Sequence, residues 1–234
     1  MKNVFERLAP FIQEYIYQNE WTEIRPIQVA ACDLILNTED NILLASGTAS
    51  GKTEAAFLPI LTDIYENPSS SVDVLYISPL KALINDQFIR IEDMLKETDI
   101  QVTKWHGDVP QNTKNKLIKR PSGILQTTPE SLEAMLMRNP GNIIKLFSDL
   151  RYIVIDEIHY FMNDDRGLQT LCILERIQRL IKKEPRRIGL SATLGDYELA
   201  KEWLNSGTKR KTVIPNVPEK KRRITLGIKY YEIE

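Results

Sequence analysis

Short runs of almost unbroken apolar residues recur along this chain, each separated from the next by a stretch long enough for a helix, and that alternation leaves few folds open. The runs are Asn41–Ala45 (NILLA), Val72–Ser78 (VDVLYIS), Ile100–Trp105, Gly123–Thr127 (GILQT), Leu150–Asp156 (LRYIVID) and Arg187–Ser191 (RIGLS). A strand that is apolar on both faces belongs inside a sheet covered on both sides. Helical patterns fill the intervals, from Lys52 to about Tyr65, Lys81 to Glu97, Pro129 to Met137, Leu168 to Ile181 after a leading turn, and Tyr197 to Leu204. Right-handed crossovers through such helices predict an α/β fold with a mostly parallel central sheet and helices on both faces.

Two further helical patterns precede the first run. Phe5, Leu8, Phe11, Ile12, Tyr15 and Ile16 recur at three-to-four spacing, and a second apolar face follows Pro26 with Ile27, Ala30, Ala31, Leu34 and Ile35. The expected organisation is residues 1–40 as N-terminal helices, 41–214 as the α/β domain, and 215–234 as a linker or the start of a further domain. Residues 205–223 combine glycine, prolines and basic side chains and read as a linker or surface excursion, with a last strand-like run at Ile224–Ile233. At 234 residues the chain can bury a full core without staples. Two cysteines and two histidines argue against a disulfide scaffold or a structural zinc cluster. Cys32, Cys172 and Met135 fall at apolar helical spacings and are expected in the core. No signal-peptide pattern and no apolar run of membrane-spanning length occurs, so a cytoplasmic protein without membrane contact is expected.

The apolar run at 41–45 ends in Ser46-Gly47-Thr48-Ala49-Ser50-Gly51-Lys52-Thr53, followed at once by a helical pattern. Small residues let a backbone wrap closely around phosphates, with its N–H groups and the helix N-terminus pointing at the anion. A lysine then reaches the terminal phosphates, and a threonine hydroxyl ligates magnesium. Ser46 stands where the strict pattern has glycine, but the strand–loop–helix context and Gly51-Lys52-Thr53 survive. A second run, Tyr152-Ile153-Val154-Ile155, ends in Asp156-Glu157-Ile158-His159. An acidic residue at the end of a neighbouring parallel strand can hold the magnesium, and the next carboxylate can orient and deprotonate a water. ATP and Mg2+ are the ligands this pair of motifs predicts.

With those residues in place, the sequence resembles the superfamily 2 helicases of the DExH/DEAD type, whose motor unit is a RecA-like P-loop NTPase domain. Arg25-Pro26-Ile27-Gln28 is similar to the segment whose glutamine reads adenine, and Gly51-Lys52-Thr53 to motif I. Ser78-Pro79-Leu80-Lys81-Ala82-Leu83 is similar to motif Ia and Thr128-Pro129-Glu130-Ser131-Leu132 to motif Ib. Asp156-Glu157-Ile158-His159 resembles motif II, and Ser191-Ala192-Thr193 motif III. The segments SGKTEAAFLPIL, DEIHYF with Arg166-Gly167 downstream, and GLSATLGD resemble the Lhr-type (large helicase-related) branch. By this resemblance Gln28 contacts adenine, Lys52 and the loop 47–51 hold phosphates, and Thr53 and Asp156 hold magnesium. Glu157 activates water, while His159, Ser191 and Thr193 link the nucleotide site to the nucleic-acid site. Ser78, Pro79, Lys81, Thr128, Pro129, Arg166 and Gly167 are the implied nucleic-acid contacts.

The resemblance implies a DNA or RNA partner, single-stranded or at a duplex junction, and a second RecA-like domain that supplies arginine fingers. About 40 residues follow Thr193, too few for that domain, so the chain is expected to be a motor's first half and weakly active alone. With 31 basic against 32 acidic side chains, strand contact must come from a local patch. The competing readings are a nucleotide-gated binding module without unwinding and a phosphate-loop kinase of a small acceptor. For Gln28 the competing reading is an exposed helical glutamine, for Arg166 a salt-bridge partner, and for Trp105-His106-Gly107-Asp108 a turn packed by Trp105.

Overall fold

The computed structural model describes residues 3–47, 50–192 and 194–217. Among these residues a seven-stranded sheet, with every pairing parallel, has the order β3-β4-β2-β5-β6-β1-β7. Its strands are β1 (Asn41–Ala45), β2 (Val72–Ile77), β3 (Val102–Trp105), β4 (Gly123–Thr127), β5 (Tyr152–Ile155), β6 (Arg186–Ser191) and β7 (Thr212–Val213). The helices are α1 (Pro10–Gln18), α2 (Pro26–Asn37), α3 (Lys52–Glu66), α4 (Lys81–Met94), α5 (Gln111–Lys119), α6 (Pro129–Arg138), α7 (Pro140–Phe147), α8 (Asp165–Ile181) and α9 (Tyr197–Asn205). Among the described residues no helix is long and apolar enough to cross a membrane.

The side-chain period of two sorts each strand into two cores. Ile42, Leu44, Val74, Tyr76, Ile124, Val154, Ile188 and Leu190 face one layer, where they meet Ile12, Ala31, Phe57 and Ile60 of the early helices. Leu43, Leu75, Ile77, Leu125, Ile153 and Ile155 face the other, against Leu132, Phe147, Ile173, Ile177 and Leu204. The N-terminal helices therefore share the first core with the sheet. The register sets Ala45 beside Ser191, Ile77 beside both Thr127 and Ile155, and Trp105 beside Thr127. The strands thus end nearly level, and the loops that follow them gather on one rim.

Four local features differ from the sequence expectation. The polar stretch after Trp105 contains α5, whose only buried residue is Leu117, so it carries almost no apolar face to read. Helix α7 starts at Pro140 directly after α6 and was not visible as a separate element. Thr212–Val213, inside the stretch read as linker, pairs with β1 as a short edge strand. Cys172 is exposed rather than in the core, whereas Cys32 and Met135 are buried. The strand expected at 224–233 lies outside the described residues.

Candidate nucleotide and strand-binding site

Strand β1 delivers the glycine-rich loop to the rim, and β6 holds it there through Ser46 N donating to the Ser191 carbonyl at 3.2 Å. The Ser46 and Ser50 hydroxyls meet across the loop at 2.5 Å. Gly51 has φ +82°, a backbone conformation that favours glycine, and a Cβ there would lie 2.7 Å from Gln28 Nε2 and push that amide aside. Lys52 donates to the Ser46 carbonyl at 2.7 Å and the Gly47 carbonyl at 3.1 Å. Burial lowers the pKa of its ammonium, opposed by the carboxylates of Glu157, Asp156 and Glu54. Thr53 is buried. Thr48 and Ala49 lie outside the described residues.

Strand β5 stands one strand away from β1, with β6 between them. Its end places Asp156 beneath the loop, nearly buried, with Tyr76 Oη donating to Oδ2 and Glu157 N donating to Oδ1 at 3.0 Å. Burial raises the pKa of this carboxyl, and Glu157 adds to the push, while the Tyr76 hydrogen bond and Lys52 pull it down. Glu157 takes the left-handed conformation at φ +48°, a strain typical of a residue held for function. Its Oε2 lies 3.3 Å from His159 Nδ1, which is also 3.0 Å from Ser191 Oγ. One imidazole nitrogen thus stands between the two, hydrogen-bonded to Ser191 at the end of β6 and close to the carboxylate that follows Asp156. Thr193 lies outside the described residues.

Gln28 is 1 % exposed, so it is not an ordinary surface glutamine. Its Oε1 accepts from Arg25 N at 2.9 Å. It lines a cavity of about 510 Å3 with Trp21, Arg25, Gly51, Glu54 and Arg90. Glu54 pairs with Arg90 on one wall. The cavity adjoins the phosphate loop through Gly51.

Of the residues expected to meet a nucleic-acid strand, Ser78 to Lys81 and Thr128 to Pro129 follow β2 and β4, while Arg166 and Gly167 begin α8. Ser78 is fully buried and its N–H donates to the Thr127 carbonyl at 3.0 Å, which binds the two loops together. Lys81 is half exposed and pairs with Asp108 at 2.9 Å. Thr128 precedes Pro129, the first residue of α6, and its hydroxyl lies 3.2 Å from Ser131 Oγ. Arg166 is committed to Glu130 and to the Pro79 carbonyl, so its salt-bridge reading is correct as geometry. Gly167 is pressed against Phe161, where a Cβ would stand 1.5 Å from the carbonyl oxygen. Sequence reading missed Tyr76, which is one more residue in an apolar strand until β2 is seen beside β5, and the Glu54–Arg90 pair.

Among the described residues no group of three or more His, Cys, Asp or Glu is arranged to hold a metal ion by itself. The oxygen donors present, the Thr53 hydroxyl and the Asp156 carboxylate, are hard ligands that leave most positions to phosphate oxygens and water, which suits magnesium. A parallel sheet whose first strand leads through this loop into a helix, with an acidic strand end one strand away, defines a RecA-like P-loop NTPase domain.

Residues 25–201 match the DEAD/DEAH box helicase family, and the chain belongs to it. Within that family it is similar to the Lhr-Core branch. The ATP-dependent helicase Lhr-Core of Saccharolobus solfataricus is 36 % identical over 217 residues, which cover 87 % of this chain and 24 % of that protein. Its counterpart from Methanothermobacter thermautotrophicus is 32 % identical over 231 residues, covering 90 % and 26 %. The structure of Mycobacterium smegmatis helicase Lhr bound to ssDNA and AMP-PNP superposes with a TM-score of 0.80 at 29 % identity, covering 93 % of this chain and 29 % of that one. The chain spans about a quarter of the length of these curated relatives.

Proposed function

We propose that the chain is the ATP-binding half of a motor that couples ATP hydrolysis to movement along, or separation of, nucleic-acid strands, working with a second RecA-like domain of a longer protein. The observation that carries this reading is the gathering on one rim of Lys52, Asp156–Glu157 and Ser191, with His159 Nδ1 lying 3.3 Å from Glu157 Oε2 and 3.0 Å from Ser191 Oγ. Residues 41–214 form the motor unit, and 1–40 supply its base-side helices.

Lys52 can exchange the Ser46 and Gly47 carbonyls for phosphate oxygens without leaving the loop. Thr53 and Asp156 would hold magnesium, which supplies positive charge against the phosphate oxygens when bound. Tyr76 and the Glu157 amide fix the Asp156 carboxylate in place. Glu157 orients the attacking water and takes its proton. A shift of Glu157 is passed toward Ser191 by His159, which lies beside both, and the resemblance extends that role to Thr193. Gln28 reads the base from its buried place beside Gly51. Lys81 and the N-terminus of α6 meet the strand through its phosphates, which fixes position without reading sequence, and the buried Ser78, Pro79 and Thr128 shape the loops that present them.

A fluorescent ATP analogue and labelled DNA and RNA oligonucleotides test the proposal, with Lys52→Ala as control. Nucleotide binding that Lys52→Ala loses, and strand affinity that falls steeply from about 50 to 200 mM salt, are the expected results. Nucleotide binding unchanged in Lys52→Ala, or a salt-independent strand affinity, would sink it.

A further inference from the structure

The turn that carries Asp156 and Glu157 and the two strand-facing loops converge on a single guanidinium. Arg166, in the first turn of α8, donates from Nε to Glu130 Oε1 at 2.6 Å and from Nη2 to the Pro79 carbonyl at 2.6 Å. Its guanidinium carbon lies 5.7 Å from the centroid of the Phe161 ring. Pro79 belongs to the loop after β2, Glu130 to the first turn of α6, and Phe161 to the turn that follows Glu157.

The arginine is held from behind. Gly167 N donates to Asp164 Oδ1 at 2.8 Å, and the absence of a side chain at Gly167 lets α8 press on the Phe161 carbonyl. Glu130 is the unexpected member, because a carboxylate in the first turn of α6 would repel a phosphate approaching that helix end. Against the upward push of burial, the hydrogen bonds from Arg166, the Glu130 amide and Thr128 hold its carboxyl below the usual range. Arg166 thus neutralises the one charge that opposes anion binding there, while its fork fixes the neighbouring loop.

We propose that Arg166 is a positioning residue that locks the loop after β2 and the N-terminus of α6 into one phosphate-gripping edge and joins that edge, through Phe161, to the turn bearing Asp156 and Glu157. The inference rests on the reading of a nucleic-acid strand as partner. A guanidinium that instead touched the strand directly would grip a phosphate with the same planar fork, so the lysine variant alone does not separate the two roles and the Glu130 variant is needed beside it.

Strand binding by labelled oligothymidylate and oligouridylate separates the two roles in Arg166→Ala, Arg166→Lys and Glu130→Ala. Positioning predicts that all three weaken strand binding, each roughly tenfold, and that Arg166→Ala, by loosening the turn at Phe161, also weakens nucleotide binding, though less than strand binding. Hydrogen exchange should then rise together in residues 78–84 and 157–162 of Arg166→Ala. If Glu130→Ala tightens binding while Arg166→Ala weakens it, Arg166 is a direct phosphate contact that Glu130 competes for, and the proposal is overturned. Unchanged exchange in either segment also overturns it. Should the parent chain bind neither oligonucleotide, the strand reading falls, and the exchange experiment alone decides whether the clamp exists.

Discussion

The two ends of the sheet bury polar groups in opposite ways. At the start of β6, Arg186 is 4 % exposed and donates to the carbonyls of Leu34, Ile35 and Asp40 and to Thr38 Oγ1. Arg187 points to the other face, is fully buried, and donates to the carbonyls of Leu204 and Ser206 and to Gln178 Oε1. Consecutive strand residues thus cap the C-terminal ends of α2 and α9, one in each helical layer, where orphan carbonyls and the helix dipole both favour a cation. At the opposite rim, Lys52 rests on two carbonyls of its own loop and Asp156 on one tyrosine and one amide. The arginines hold permanent partners from distant elements, whereas Lys52 and Asp156 hold near neighbours that an anion or a metal can replace or join. Burial of charge is structural at one end and preparatory at the other.

The strongest way to break this comparison is Arg187→Met. Replacement of a buried ion pair by apolar groups can be neutral when both partners go, but here the carbonyls of Leu204 and Ser206 and the Gln178 amide oxygen would remain without their donor. We expect a loss of about 3 kcal/mol or more, read as a lower urea midpoint at unchanged slope. Burial pushes the Arg187 guanidinium down to about 10, with Glu184 and Glu175 opposing, so it stays charged at neutral pH and the loss should be present there in full. Lys52→Ala is the counterpart. It should weaken nucleotide binding by about a hundredfold, near 2.7 kcal/mol, with stability within about 0.5 kcal/mol of the parent. Equal destabilisation by the two substitutions would erase the distinction between the ends.

The same contrast explains what could be read in advance. The rim was legible because its chemistry is local: Gly51-Lys52-Thr53 and Asp156-Glu157-Ile158-His159 are contiguous, and each follows an apolar run that announces its strand. The parallel layered fold was legible from the same runs. Tyr76, Arg186 and Arg187 were not, because their partners lie far away in sequence: Asp156 for Tyr76, residues 34–40 for Arg186, and 178 and 204–206 for Arg187. Helix α5 escaped notice because it buries only Leu117, and β7 because two edge residues leave no periodicity. Cys172 satisfied a helical spacing yet lies on the exposed side of α8, since a position next to an apolar stripe looks like part of it.

Gly167→Ala probes the junction between the rim and the body at a smaller scale. A Cβ there would meet a backbone oxygen rather than a flexible side chain, so relief requires α8 or the turn at Phe161 to move. Overpacking of this kind costs about 2 kcal/mol. If the turn yields, nucleotide binding should weaken along with stability, which thermal unfolding and analogue binding read in parallel. An alanine tolerated without loss of either would mean that the two elements are less tightly coupled than their contact implies.

The smallest effect belongs to the cysteines and tests the permanent end of the molecule. Burial pushes the Cys32 thiol from 9.0 up to about 12, with Asp33 adding and Arg7 opposing. A raised pKa in the folded state means that the folded protein keeps its proton after the unfolded chain has lost it. That preference contributes nothing at neutral pH and lowers stability as pH rises from about 9 toward 12, by on the order of 1 kcal/mol at pH 10. Cys32→Ala should therefore flatten the alkaline fall in unfolding midpoint. In thiol labelling at pH 8, Cys172 should react at once and Cys32 only as fast as the molecule opens. Prompt reaction of both would mean that α2 opens on its own, and that its arginine-capped end is less permanent than the comparison requires.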